Sequence, residues 1–578
     1  MTDLDLSTLY SHLVSLYGKS AGAQAFESLR AVLSQYRDLP PPPKDKPVLS
    51  ERDSILITYA DQLSEPGCPP LQTLTRFSEQ FLSGVVSGIH ILPFFPYSSD
   101  DGFSVMDYRA VNPQFGSWDN IAQLGHSFRL MFDAVINHCS AGHEWFRAFL
   151  QDDPQYRDYF VVVQGKPDVS QVVRPRALPL LTDFETPSGT KQVWTTFSAD
   201  QVDLNFQNPD LLLEIIDTLL FYVAQGAQLI RLDAIAYLWK EIGTSCIHLP
   251  QTHRVIRLFR AVLDVVAPHV LLITETNVPH IDNISYFGDG SDEAQMVYNF
   301  ALPPLVLHTF HTGNSRVLSS WVAGLQLPSN RTTFFNFLAS HDGIGVNPAR
   351  GILPDAEIDA LIERVVEHGG LVSYKNDVSG LQIPYELNIN YFDALSDPRA
   401  DEPLSMQVDR FMAAQAIMLA LVGVPGIYFH SLFGSRSWHE GVKHTGRNRT
   451  INRQKFELPE FEGELRDASS VRNQVFQCYA QLLRARSASP AFHPHGGQQV
   501  VDMGDAVFAL LRVSPDGDEH VLCLQNISDQ AQRIPAEKIT DVSSGPFTNL
   551  FTGQVMNGSA MTGLALEPYQ TLWLRSNG

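Results

Sequence analysis

From residue 54 onward the chain repeats one pattern. A short apolar run ends in polar or charged residues, gives way to helical periodicity, and the cycle starts again. The runs are 55–59, 88–92, 130–135, 228–232, 270–273, 296–300, 334–338 and 426–429. Continuous apolar runs of this length suit strands buried on both faces, and their alternation with helices implies a parallel sheet. Eight such units predict a closed (β/α)8 TIM barrel, an α/β fold. No GxGxxG follows the first run, which counts against an open doubly wound sheet.

Ahead of the barrel, residues 4–38 read as two amphipathic helices broken near Gly18-Lys19-Ser20, and Pro40-Pro41-Pro42-Pro43 reads as a stiff spacer. Residues 1–50 are therefore expected to be an N-terminal helical extension, and 51–494 the barrel. Two gaps exceed a simple crossover, 140–204 between the third and fourth strands and 343–400 between the seventh and eighth. Gaps of this size predict inserted subdomains. Beyond 494, alternating runs such as 506–513 and 521–525 predict a C-terminal antiparallel β-domain over 495–578.

The formal charge of −22 argues against nucleic acid or an anionic membrane as partner, because both require basic surface. It leaves room for a small anion held by a local arginine. The start Met1-Thr2-Asp3-Leu4-Asp5 has neither the basic opening nor the apolar run of a secretory signal. The five scattered cysteines show no CxxC spacing. A cytoplasmic protein without metal or other cofactor is expected. Nothing in the pattern fixes an oligomeric state.

Barrel enzymes carry their reactive groups at the C-terminal strand ends. Those positions hold Asn137-His138, Arg231-Leu232-Asp233, Thr274-Glu275 and Ser340-His341-Asp342. Retaining glycoside chemistry needs an ionised carboxylate as nucleophile and a protonated acid roughly 5–5.5 Å away. Neighbouring strands lie roughly 4.8 Å apart, so the ends of the fourth and fifth suit the pair. Arg231, two residues before Asp233 on the same strand face, is expected to hold Asp233 ionised. Glu275, after an apolar run, is expected to stay protonated through desolvation.

At these residues the chain resembles the α-amylase superfamily, family-13 glycoside hydrolases. Segments 133–138, 231–234, Glu275 and His341-Asp342 carry the resemblance, in the family's order. It implies Asp233 as nucleophile, Glu275 as general acid/base and Asp342 as transition-state stabiliser. His138, Arg231 and His341 would line the glucose subsite. Asn137, which ligates calcium in amylase relatives, is read here as a buried hydrogen-bonding residue.

A narrower resemblance, to the sucrose phosphorylase group, rests on segments 99–103, 174–176, 201–203, 240–246, 301–304, 341–345 and 449–453, with Phe197. It implies that Asp101 and Arg449 clamp glucose hydroxyls and that Phe103 and Phe197 form aromatic walls. Gln201 and Tyr237 join the substrate contacts, and Arg176, with Arg174, receives inorganic phosphate. Such enzymes pass through a β-glucosyl-aspartate and release α-glucose 1-phosphate from a small α-glucoside. Val173 and Glu386 depart from sucrose phosphorylases where fructose would be gripped. Nearly the whole chain, including Arg174–Leu181 and Ile273–His280, looks most like glucosylglycerate phosphorylases. A glycerate carboxylate would need Arg176 or Lys375 nearby, while Glu386 would accept hydrogen bonds from the acceptor's hydroxyls. Glycerol, fructose, a hydrolytic or transglucosidic outcome and a non-catalytic carbohydrate-binding relative remain the alternatives.

Overall fold

In the computed structural model, which describes residues 3–39, 48–376, 381–542, 545–557 and 563–577, all eight apolar runs form strands. They are β1 (Ile55–Thr58), β2 (Gly88–Ile91), β3 (Arg129–Ala134), β4 (Ala227–Leu232), β5 (Leu271–Thr274), β6 (Met296–Tyr298), β7 (Thr333–Asn336) and β8 (Val424–Tyr428). Each pairs in parallel with its sequence neighbours, and β8 closes on β1 through Gly426 beside Ile55. The sixth run stops two residues early because the chain turns into a helix at Leu302, with prolines in its first turn. Proline is tolerated there because a helix's first N–H groups have no partner within it.

The N-terminal segment forms α1 (Asp3–Gln35), hinged at Gly18, whose φ of 77° is open to glycine at little cost. It lies against α2 (Pro209–Ala224) and α3 (Pro250–Val266), the helices on either side of β4 in the chain. Its Leu9, Leu13, Ala25, Leu29 and Leu33 are buried in the same core as the barrel strands. Tyr17 donates to the Phe206 carbonyl at 2.9 Å and Tyr36 to Asp217 at 2.8 Å, so the extension is fastened to the barrel wall. The spacer Pro40–Pro43 lies outside the described residues. Among the described residues, no helix is long and apolar enough to cross a membrane.

Both long gaps hold small sheets. Residues Val162–Val163, Gly189–Trp194 and Leu181–Thr186 make one, and Ile344–Gly345, Gln382–Asn388 and Leu371–Asn376 the other. Past Gly497 a six-stranded antiparallel sheet carries its own apolar core. Arg512 ties it to the barrel by donating to the carbonyls of Ala420 and His493.

A short bridge closes the first insertion onto the barrel. His138–Ser140 pairs with Gln201–Asp203, bringing the end of the insertion back to the strand that opened it. A buried ammonium holds the bridge: Lys240 Nζ lies 2.7 Å from both Asn137 Oδ1 and Asp203 Oδ2. Asn137 also donates to Asp203 at 3.1 Å, and Thr196 donates from both its backbone and its hydroxyl. Removing one partner of a buried ion pair leaves an uncompensated charge. Lys240→Met is therefore expected to cost about 3 kcal/mol in urea unfolding; an unchanged midpoint would show that the ammonium is dispensable.

Candidate active site

Three carboxylates converge above the barrel. Asp233 directly follows β4 and Glu275 directly follows β5. Because Leu232 is in register with Thr274, the two emerge side by side. Asp342 arrives on the loop after β7, and all three line one cavity. The residue after Asp233 shapes the contact. Ala234 adopts a left-handed backbone (φ 49°, ψ 32°), and its N–H donates to Glu275 Oε2 at 2.9 Å. A left-handed conformation costs a non-glycine residue about 1 kcal/mol, here offset by a charge-assisted hydrogen bond to the carboxylate.

Arg231 lies beneath the carboxylates, 1% exposed. Its Nη1 lies 2.8 Å from Asp233 and also pairs with Asp133, while Nη2 is 3.8 Å from Glu275. His90 completes the row with Nε2 2.7 Å from Asp133. Against the effect of burial, Arg231 and His90 hold Asp133 down at about 2. Arg231, expected to hold Asp233 ionised, does pull in that direction but is opposed. Its charge is divided, and burial, reinforced by Glu275, Asp133 and Asp342, raises Asp233 well above the usual carboxylate range. Burial also raises Glu275, with Arg231 resisting and Asp342 adding to the rise. Asp342 goes the other way: burial is outweighed by Arg449, His341, Arg453 and Arg231, and it is held far below the usual range. These opposite shifts favour charge on Asp342 and a proton shared within the Asp233–Glu275 pair.

Aromatic rings surround the carboxylates. Phe103 stacks on His341 at 4.7 Å with planes 3° apart, and Phe197 meets His138 at 5.2 Å and Tyr237 at 5.6 Å. Burial lowers the His341 pKa to about 3, with Asp342 resisting, and lowers that of His138 as well. His138 and Gln201 each approach the Phe103 carbonyl, at 2.9 and 3.1 Å.

The structure relocates some expected contacts. Asp101 is 43% exposed in its side chain and pairs with Arg453 at 2.6 Å, away from the cavity. Its neighbour Asp100 lines the cavity instead, because both residues sit in a left-handed turn with φ near 50° (53° and 51°) that rotates one carboxylate outward. Arg176 reaches the cavity, whereas Arg174 turns back onto the Leu178 carbonyl of its own loop. That loop is pinned by an apolar set of Val163, Val172, Leu180, Trp194 and Cys246, and by the Val173 N–H on the Ser245 carbonyl at 3.0 Å. Lys375 stands 5.5 Å over the Tyr385 ring and does not line the cavity.

Glu386 does line it, but both its oxygens engage Arg449, at 3.1 and 2.6 Å. Asn277 and Tyr385 line it without having been singled out from the sequence. The Asn277 Oδ1 is buried with no hydrogen-bond partner, and a Cβ on Gly345 would stand 2.5 Å from it. The signal available was the short Gly343-Ile344-Gly345 run, where side chains would collide. Among the described residues, no group of three or more His, Cys, Asp or Glu side chains is arranged to hold a metal ion.

Known proteins place this geometry. Residues 82–342 match the model of the α-amylase catalytic domain. The chain is 52% identical to a glucosylglycerate phosphorylase of Spirochaeta thermophila, with 97% of each chain covered. It is 51% identical to one of Allomeiothermus silvanus, with 98% of each covered. The sucrose 6F-phosphate phosphorylase of Thermoanaerobacter thermosaccharolyticum superimposes with a TM-score of 0.72 at 26% identity, over 82% of this chain and 94% of that one. The chain belongs to the α-amylase family, glycoside hydrolase family 13, and within it to the glycoside phosphorylases.

Proposed function

We propose that the protein is a retaining phosphorylase that moves an α-glucosyl unit between inorganic phosphate and glycerate, with 2-O-α-glucosylglycerate as its glycoside. The observation that carries this reading is the charge on Arg176. Of the two guanidinium groups lining the cavity, Arg449 is compensated by Asp342 and Glu386. Arg176 has no ion-pair partner among the described residues, and its fork fits both phosphate and carboxylate. The pairing of Glu386 with Arg449 also removes the objection that a glutamate beside the acceptor would repel a second carboxylate. The relatives named glucosylglycerate phosphorylase, at 52% and 51% identity, support the same acceptor.

The chemistry follows from the proton inventory. In the reactive form the shared proton rests on Glu275 and Asp233 is ionised, 2.8 Å from Arg231. Asp233 attacks the anomeric carbon while Glu275 gives its proton to the departing glycosidic oxygen, releasing glycerate and leaving a glucosyl ester on Asp233. The ester cancels the charge of Asp233, so Glu275 is stabilised as a carboxylate and is ready to accept a proton. Phosphate held by Arg176 then attacks the same carbon, its proton passes to Glu275, and Asp233 is regenerated with α-glucose 1-phosphate. Two inversions give net retention. The permanently ionised Asp342 faces the positive charge that develops on the sugar ring in both steps.

Supplying α-glucose 1-phosphate with glycerate, glycerol or fructose side by side and following phosphate release tests the assignment. Glycerate is expected to be turned over fastest, and equal release into water alone would make the protein a hydrolase. Arg176→Ala is expected to raise the KM for phosphate by about 10- to 100-fold, the range for a lost charge-assisted hydrogen bond. Slow hydrolysis of the glucosyl ester should change far less. The pH profile of kcat/KM should be bell-shaped. Its acid limb falls as a second proton neutralises Asp233. Its alkaline limb falls as Glu275 loses its proton, above the usual carboxylate range because burial raises that group. A rate that stays flat on the alkaline side would remove Glu275 as the acid.

A further inference from the structure

Glu386 is 1% exposed and lies on the strand Gln382–Asn388 of the second insertion. It meets Arg449 edge-on, with Nε donating to Oε2 at 3.1 Å and Nη2 to Oε1 at 2.6 Å. The third nitrogen, Nη1, pairs with Asp342 at 2.6 Å. An arginine has five N–H donors, of which Nε and Nη2 each give one to Glu386, while Nη1 faces Asp342 as an ion pair. Two carboxylates on different edges fix the guanidinium in its plane, which one alone would not do.

The backbone fixes the third side of this arrangement. Gly345, three residues past Asp342, pairs with Glu386 across an antiparallel ladder. At Gly343 a Cβ would lie 2.9 Å from the Leu387 carbonyl and 3.0 Å from the Glu386 Cβ. The strand bearing Glu386 is thus stitched directly to the loop bearing Asp342, and its side chain reaches Arg449 in the turn Asn448–Asn452. Three segments far apart in sequence close one triangle.

We propose that Glu386 is a positioning residue for the glucose side of the site: it sets Arg449 against Asp342 and does not itself contact the acceptor. The inference rests on the α-glucosyl transfer reading for its substrates. Glutamine in this place retains the shape but turns an NH2 toward one Arg449 donor, so one bond is lost and two donors face each other. The second insertion then governs glucose binding through Arg449, as well as the walls seen by the acceptor.

The test separates the two sides by removing the acceptor. With α-glucose 1-phosphate alone, the slow release of glucose into water uses the glucose side and the phosphate seat at Arg176 but no glycerate. Glu386→Gln is expected to raise the KM for α-glucose 1-phosphate about tenfold or more in this reaction and equally in transfer to glycerate. The KM for glycerate should stay within about twofold, well under one lost hydrogen bond. Glu386→Asp, which keeps the charge, should recover part of the loss, and Glu386→Gln combined with Arg449→Lys should cost less than the two added together. If Glu386→Gln leaves the acceptor-free reaction untouched and raises only the glycerate KM, the proposal is overturned. Wild-type enzyme releasing no phosphate from α-glucose 1-phosphate would instead refute the transfer reading. Calorimetric binding of glucose to wild type and Glu386→Gln then decides the positioning claim: weaker binding supports it and equal binding refutes it.

Discussion

A guanidinium removed from water inside a barrel demands full compensation, and around Arg231 that demand organises the whole upper face. Isolated charges are very costly in such surroundings. Arg231 meets the requirement with Asp133 below, Asp233 above, and the ring faces of Phe103 and Tyr298 at 5.7 and 5.5 Å. Asp133 is secured in turn by His90. Burial raises Asp233 and Glu275, and a cation shared with Asp133 only partly opposes that rise. A stronger private pairing between Arg231 and Asp233 would make a better-behaved ion pair and a poorer proton reservoir.

The two insertions complement this centre from opposite sides. The first delivers Arg176 on a loop held by a small apolar cluster, and its return strand carries Gln201 to His138. The second delivers Tyr385 and Glu386 on a ladder anchored beside Asp342. The barrel thus supplies the three carboxylates of the cavity, while the excursions add Arg176, Tyr385 and Glu386 to its lining. This division suits loops built on a rigid scaffold.

Much of the architecture was legible because burial on both faces of a parallel strand leaves an unmistakable apolar run. The positions of Asp233 and Glu275 followed from those runs alone, since adjacent strands place their terminal residues side by side. Asp100 and Asp101 were not separable in the same way, because a left-handed turn decides which carboxylate faces inward and alternation says nothing about it. The partner of Glu386 was equally hidden, since Arg449 is 63 residues away, beyond four helices and a barrel strand. The upward pull on Asp233 was hidden for a different reason: the proximity of Arg231 is visible in the sequence, but burial and the competing claim of Asp133 on the same nitrogen are matters of three-dimensional packing.

The Lys240 ammonium has a consequence for how the enzyme is made. Its positive charge is delivered by the ribosome as part of the polypeptide, at the junction where the first insertion rejoins β3. A four-carbon tether also delivers the charge from one fixed direction, so the junction and the segment after β4 that carries Lys240 must mature together.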